Sequence, residues 1–127
     1  MVKPLTGRRC LVLDDEFLIA LDIQQALEQA GAAEVVCCGN AAEALAAARA
    51  GRFDLAVLDL RLGHGGGTSL PVAEALAAAG TPFVFLTGLR GDSAEARVFR
   101  DAPVVEKPYD ARALLAAIGQ ATGGTTA

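Results

Sequence analysis

The stretch Cys10-Leu-Val-Leu-Asp-Asp-Glu-Phe-Leu-Ile-Ala-Leu-Asp-Ile-Gln-Gln-Ala-Leu-Glu-Gln-Ala-Gly31 changes its hydrophobic period once, and that change decides the fold. Cys10–Leu13 is continuously apolar and too short for a helix, as expected of a parallel strand covered on both faces. Three acids, Asp14, Asp15 and Glu16, end the run. From about Glu16 to Ala30 the apolar residues Ile19, Ile23, Ala26, Leu27 and Ala30 recur at helical spacing, and Gly31 stops the pattern.

The same alternation continues outward. Short apolar runs occur at Glu34–Cys38, Leu55–Leu58, Phe83–Leu86 and Val104–Val105. Helical patterns separate them. One opens at Asn40 with Glu43 three residues on, a capping-box-like start, and closes at Gly51. Another runs from Ser69 or Leu70 to Ala79, with Pro71 in its first turn and Gly80 as its stop. A shorter, charged pattern spans about Ser93 to Arg100, and its weak periodicity predicts a mobile or irregular helix. A fifth helix follows Pro108, with Asp110 as its cap and Leu114, Leu115 and Ile118 on its apolar face.

Five strands alternating with five helices predict an α/β, flavodoxin-like (βα)5 fold: a doubly wound parallel sheet of strand order 2-1-3-4-5. Its site should lie at the carboxyl ends of the strands. The chain of 127 residues is 53% apolar, and removing its 27 Ala still leaves 40 larger apolar side chains, enough for one core. A single domain over residues 1–127 is the expectation, with residues 122–127 a flexible tail. A net charge of −4 and a pI near 4.9 argue against nucleic acid and anionic membrane as partners. No apolar window approaches a membrane span, and no signal-peptide pattern stands at the start. The three cysteines sit in strand-like runs, where a thiol behaves as a small hydrophobe, and no Cys/His spacing suggests zinc. The chain therefore reads as soluble and cytoplasmic.

The strand ends carry the chemistry. The first ends in Asp14-Asp15, the third in Asp59, the fourth in Thr87 and the fifth in Glu106-Lys107. The topology brings these ends to one crevice, so three carboxylates, a hydroxyl and an ammonium share a small volume. Crowded carboxylates resist full ionisation, and a hard cation with oxygen ligands, best Mg²⁺, relieves them. An Asp beside such a cation can attack phosphorus and form an aspartyl phosphate. Lys107 and the Thr87 hydroxyl would neutralise charge on the transferring group. Lys107 is one of two lysines against nine arginines, an unusual choice at the end of an apolar strand.

Together, Leu11-Val-Leu-Asp-Asp-Glu16, Leu55-Ala-Val-Leu-Asp-Leu60, Thr87-Gly88 and Lys107-Pro-Tyr109 resemble the receiver domain of bacterial two-component response regulators over about residues 7–121. The resemblance implies that Asp59 accepts a phosphoryl group from a histidine kinase or phosphotransfer protein. It makes Asp14 and Asp15 the metal-binding pair, with Asp59 and the backbone carbonyl of Arg61 as further Mg²⁺ ligands. Thr87 would be the switch hydroxyl, Lys107 the phosphate-contacting lysine, and the Lys107–Pro108 bond cis. Receivers usually carry an aromatic residue three positions before the lysine, where this chain has Val104. Phe85-Leu-Thr-Gly-Leu-Arg90 is similar to the Phe-Ala-Thr-Gly-x-Tyr motif of the FAT GUY subgroup, although Leu86 and Arg90 break it. Phe17-Leu-Ile-Ala20 and Pro71-Val-Ala-Glu-Ala-Leu76 are similar to that subgroup too. Its members are typically stand-alone receivers, often paired with HWE-type kinases. The implied function is a stand-alone response regulator that catalyses only its own phosphorylation and dephosphorylation and signals to a downstream protein target.

Plainer readings stand beside these. Asp14-Asp15 alone would serve a helix N-terminus, and Glu16 reads as the residue that opens the first helix rather than a metal ligand, with an indirect role through water left open. Gly63-His-Gly-Gly-Gly-Thr-Ser69 lacks the Gly-Lys-Ser/Thr ending of a nucleotide loop, and reads as a flexible loop with His64 exposed. Two rival functions remain open here. One is a receiver-like interaction module that is not phosphorylated. The other is an Asp-nucleophile phosphohydrolase similar to the haloacid dehalogenases, which usually carry a second Asp where this chain has Arg61.

Overall fold

The computed structural model describes residues 3–62, 67–87, 102–107 and 110–122. Five strands, β1 (Arg9–Leu13), β2 (Glu34–Cys38), β3 (Leu55–Asp59), β4 (Phe83–Thr87) and β5 (Val104–Glu106), form one sheet. All pairs are parallel, in the order β2-β1-β3-β4-β5. Four helices are described: α1 (Phe17–Gln29), α2 (Ala41–Ala50), α3 (Leu70–Ala78) and α4 (Ala111–Ala121). The helix expected over residues 93–100 lies outside the described residues, as do His64, Pro108 and the tail from 123. The flavodoxin-like fold and strand order read from the sequence are those observed.

Side chains alternate across each strand, so continuous apolar runs feed two cores at once. On one face Cys10, Val12, Leu55, Val57, Val84 and Leu86 pack under α1 and α4, against Ile23, Leu27, Leu114 and Ile118. On the other, Leu11, Leu13, Ala56, Leu58 and Phe85 pack under α2 and α3, against Ala44, Val72, Ala73 and Leu76. Alanine on the helices lets them approach the sheet closely while the strands supply the bulk.

The caps stand where the sequence puts them. Asn40 accepts the Glu43 N–H at 2.8 Å, and the Glu43 carboxylate accepts from Gly39 N at 3.0 Å, one residue before the usual partner. Asp110 accepts from Ala113 N at 2.7 Å. One reading needs correction. β2 is an edge strand, and only Cys38 in it is buried. Cys37 is accordingly exposed rather than a core hydrophobe, with Sγ 3.5 Å from Gln24 Oε1. Glu16 does open α1, as the sequence indicates: it is the N-cap, although its side chain makes no capping bond.

Candidate functional site

The backbone ladders run on past the strands and fix the site. Asp14 N donates to Cys38 O at 3.1 Å, Leu60 N to Leu86 O at 2.8 Å, and Lys107 N to Thr87 O at 2.8 Å. These bonds hold the residue that follows Asp59 and place Asp14 and Lys107 at the carboxyl edge of the sheet. Asp14, Asp59 and Thr87 are buried, and Asp15 is half-buried. One carboxylate oxygen from each of Asp14, Asp15 and Asp59 lies within 4.8 Å of the others.

Lys107 reaches into this cluster. Its Nζ stands 3.2 Å from Asp59 Oδ2, 3.4 Å from Asp14 Oδ2 and 3.9 Å from Glu16 Oε1. Asp14 Oδ1 accepts the backbone N–H of Glu16 at 2.9 Å. The acids and the lysine that the sequence groups do lie together, and Glu16, read from the sequence as a helix opener with at most an indirect role through water, stands beside them. A signal was present: N-cap positions favour Ser, Thr, Asp and Asn, and a glutamate there suggests another use.

Electrostatics follow from burial. Burial, and then the neighbouring charge of Asp14, push the Asp59 carboxyl up to about 6 from its ordinary 3.8. Burial also raises Asp14, against the opposing help of the Glu16 N–H and of Lys107. For Lys107 burial works to lower the pKa, but Asp59 and Asp14 outweigh it and the net direction is upward. One ammonium thus leaves two buried carboxylates incompletely compensated. Hard oxygen donors in this state suit a divalent cation. With one oxygen from each of Asp14, Asp15 and Asp59 within 4.8 Å of the others, this set could hold a metal ion.

Arg61 lies two residues past Asp59, exposed, in an antiparallel bridge with Thr68. Thr87 ends β4 one residue beyond Leu86, which is in register with Asp59. Val104, in the place where an aromatic residue is usual, is 41% exposed at the start of β5 and in register with Phe85.

The family model of the response regulator receiver domain matches residues 10–119. No curated protein matches the chain. Among solved structures, SdrG from Sphingomonas melonis Fr1 is 42% identical over 91% of this chain and 95% of that one, with a TM-score of 0.73. The BeF3-activated conformation of SdrG from Pseudomonas melonis Fr1 is 40% identical over 92% and 98%, with a TM-score of 0.75. A response regulator receiver protein from Sinorhizobium medicae WSM419 is 24% identical over 93% and 96%, with a TM-score of 0.79, a likeness of fold. Family model and relatives cover the same stretch of chain that carries the strand-end acids and the lysine, and the chain belongs to the response regulator receiver domain family.

Proposed function

We propose that this receiver takes a phosphoryl group onto Asp59 from a phosphohistidine and returns the altered surface to a protein partner. The observation that carries the reading is the position of Lys107 Nζ between Asp59 Oδ2 and Asp14 Oδ2, at 3.2 and 3.4 Å. An ammonium there can follow the transferring group from reactant to product, since the phosphoryl oxygens arrive beside it.

In the step itself, an Asp59 carboxylate oxygen forms the new O–P bond while the N–P bond of the donor breaks. The electron pair leaves with the histidine nitrogen. Asp59 must be ionised to attack, and Lys107 holds it so against its buried setting. Mg²⁺ bound by Asp14, Asp15, Asp59 and the Arg61 carbonyl would supply charge neutralisation at the phosphoryl oxygens. Thr87, buried at the end of β4, offers a hydroxyl for the product phosphoryl group.

The donor in this reading is a sensor histidine kinase, HWE-type where the FAT GUY likeness holds, or a phosphotransfer protein. The output is a contact with a downstream protein target, and the chain acts on no other substrate. Among the described residues no helix is long and apolar enough to cross a membrane. The added charge on Asp59 would bias the strand ends at Thr87 and Lys107, which the 2.8 Å Lys107 N to Thr87 O bond already couples.

Incubation with acetyl phosphate and Mg²⁺, read by intact mass, tests the proposal. One phosphoryl group per chain is expected on the wild type and none on Asp59→Asn. Persistent labelling of that variant would move the acceptor elsewhere. Repeated turnover of a small phosphomonoester would instead favour a hydrolase, and no uptake at all an interaction module.

A further inference from the structure

We propose that Glu16 is a positioning residue for Lys107, holding its ammonium at the solvent side of the acidic cluster during phosphoryl transfer. The inference rests on the phosphoryl-accepting role given to Asp59 above.

A lysine ammonium has three N–H donors, and three carboxylate oxygens face Lys107 Nζ: Asp59 at 3.2 Å, Asp14 at 3.4 Å and Glu16 at 3.9 Å. Two of these partners are engaged by the reaction itself. An oxygen of Asp59 is spent on the bond to phosphorus, and Asp14 belongs to the metal-binding set. Glu16 is the carboxylate that the reaction leaves to the lysine. Its side chain is 63% exposed, against 0% for Asp14 and 7% for Asp59, so it marks the solvent side, where a phosphoryl group must arrive.

The local structure frees Glu16 for this. It occupies the N-cap of α1, with φ −97° and ψ 111°, but its side chain makes no capping bond. Asn40 and Asp110, the N-caps of α2 and α4, both use theirs. The backbone N–H of Glu16 is bound by Asp14 Oδ1 at 2.9 Å, which ties the root of the side chain to the cluster. Truncating Glu16 therefore removes a contact to Lys107 without removing a helix cap.

An exposed ion pair is screened, so the effect is modest: a loss of about 2- to 5-fold in phosphorylation rate. The experiment measures labelling of the full chain by acetyl phosphate at saturating Mg²⁺ for wild type, Glu16→Ala, Glu16→Gln, Lys107→Ala and the Glu16→Ala/Lys107→Ala double variant. Glu16→Ala should slow labelling by that factor, Glu16→Gln should recover part of it, and the effect should vanish in the Lys107→Ala background. A second readout needs no turnover. The chain has only Lys3 and Lys107, so the side-chain ammonium NMR signal of Lys107 is readily assigned. In the cation-free protein, Glu16→Ala should shift it and speed its hydrogen exchange. An unchanged rate, an equal loss in the Lys107→Ala background, or an unmoved ammonium signal would each overturn the inference. A wild type that takes up no phosphoryl group would overturn the reading of Asp59, and this inference with it. Equality of Glu16→Ala with a working wild type overturns the positioning role alone.

Discussion

Asp59→Asn keeps the outline of the side chain and removes its charge, which separates the functional cost of that carboxylate from its packing. With the carboxyl at about 6 instead of 3.8, ionising it in the folded chain is harder than in the unfolded chain by about 3 kcal/mol. The help of Lys107 is already contained in that value. The folded state therefore holds this proton more tightly than the unfolded state between about pH 4 and 6. Stability from this group is present at low pH, is lost as pH rises through that window, and stays lost above it. Asn is neutral throughout, and Lys107 keeps Asp14 as a buried partner in the variant. Allowing for relaxation around the site, Asp59→Asn should stabilise the cation-free protein by about 1–3 kcal/mol at pH 8. Unfolding entropy for a domain of this size makes that a rise of roughly 4–12 °C in Tm. At pH 4.5 the difference should shrink to about one third. Circular-dichroism melts in EDTA at the two pH values measure both. A lower Tm for the variant, or a rise equal at pH 8 and pH 4.5, would refute the argument that an undercompensated carboxylate destabilises this site. Adding Mg²⁺ should then raise the wild type more than the variant, because the wild type alone retains the third carboxylate.

Lys107→Ala acts in the opposite sense: it strips two buried carboxylates of their cation, so Tm in EDTA should fall at pH 8 by several degrees and recover near pH 5, as melts across pH would report. Asn40→Ala removes the cap bond to Glu43 N and should cost about 1 kcal/mol in urea unfolding while leaving acetyl phosphate labelling unchanged. Iodoacetamide should modify Cys37 first, since it is exposed. Cys10 is fully buried with its thiol pushed up to about 11, and should react only on unfolding, which peptide mass mapping would show.

How much of this was legible beforehand depended on whether a residue's role is written in local order or in distant contact. The strands were legible because parallel strands covered on both faces must be apolar throughout, as β3 is over Leu55–Leu58. The candidate site residues were legible because the topology carries the strand ends to one edge: Asp14, Asp59 and Thr87 are each the first polar group beyond an apolar run, and Lys107 is the second, after Glu106. The errors fall where that logic weakens. β2 reads as a buried strand because Val35, Val36, Cys37 and Cys38 are apolar; the expected order already put it at the sheet edge, and that place outweighs the apolar run and leaves Cys37 outside. Glu16 opens α1 as read, but its further contact is missed, since Lys107 is 91 residues away and no local pattern announces it. The two cases share a cause. A sequence run states what a segment can bury, whereas which neighbour arrives is settled only when all five strands are stacked. At the site this distinction has a chemical consequence. The acids alone would be a repelling cluster, and the lysine that arrives from the far end of the chain gives two of them a shared counter-charge, the contact on which the proposed phosphoryl chemistry rests.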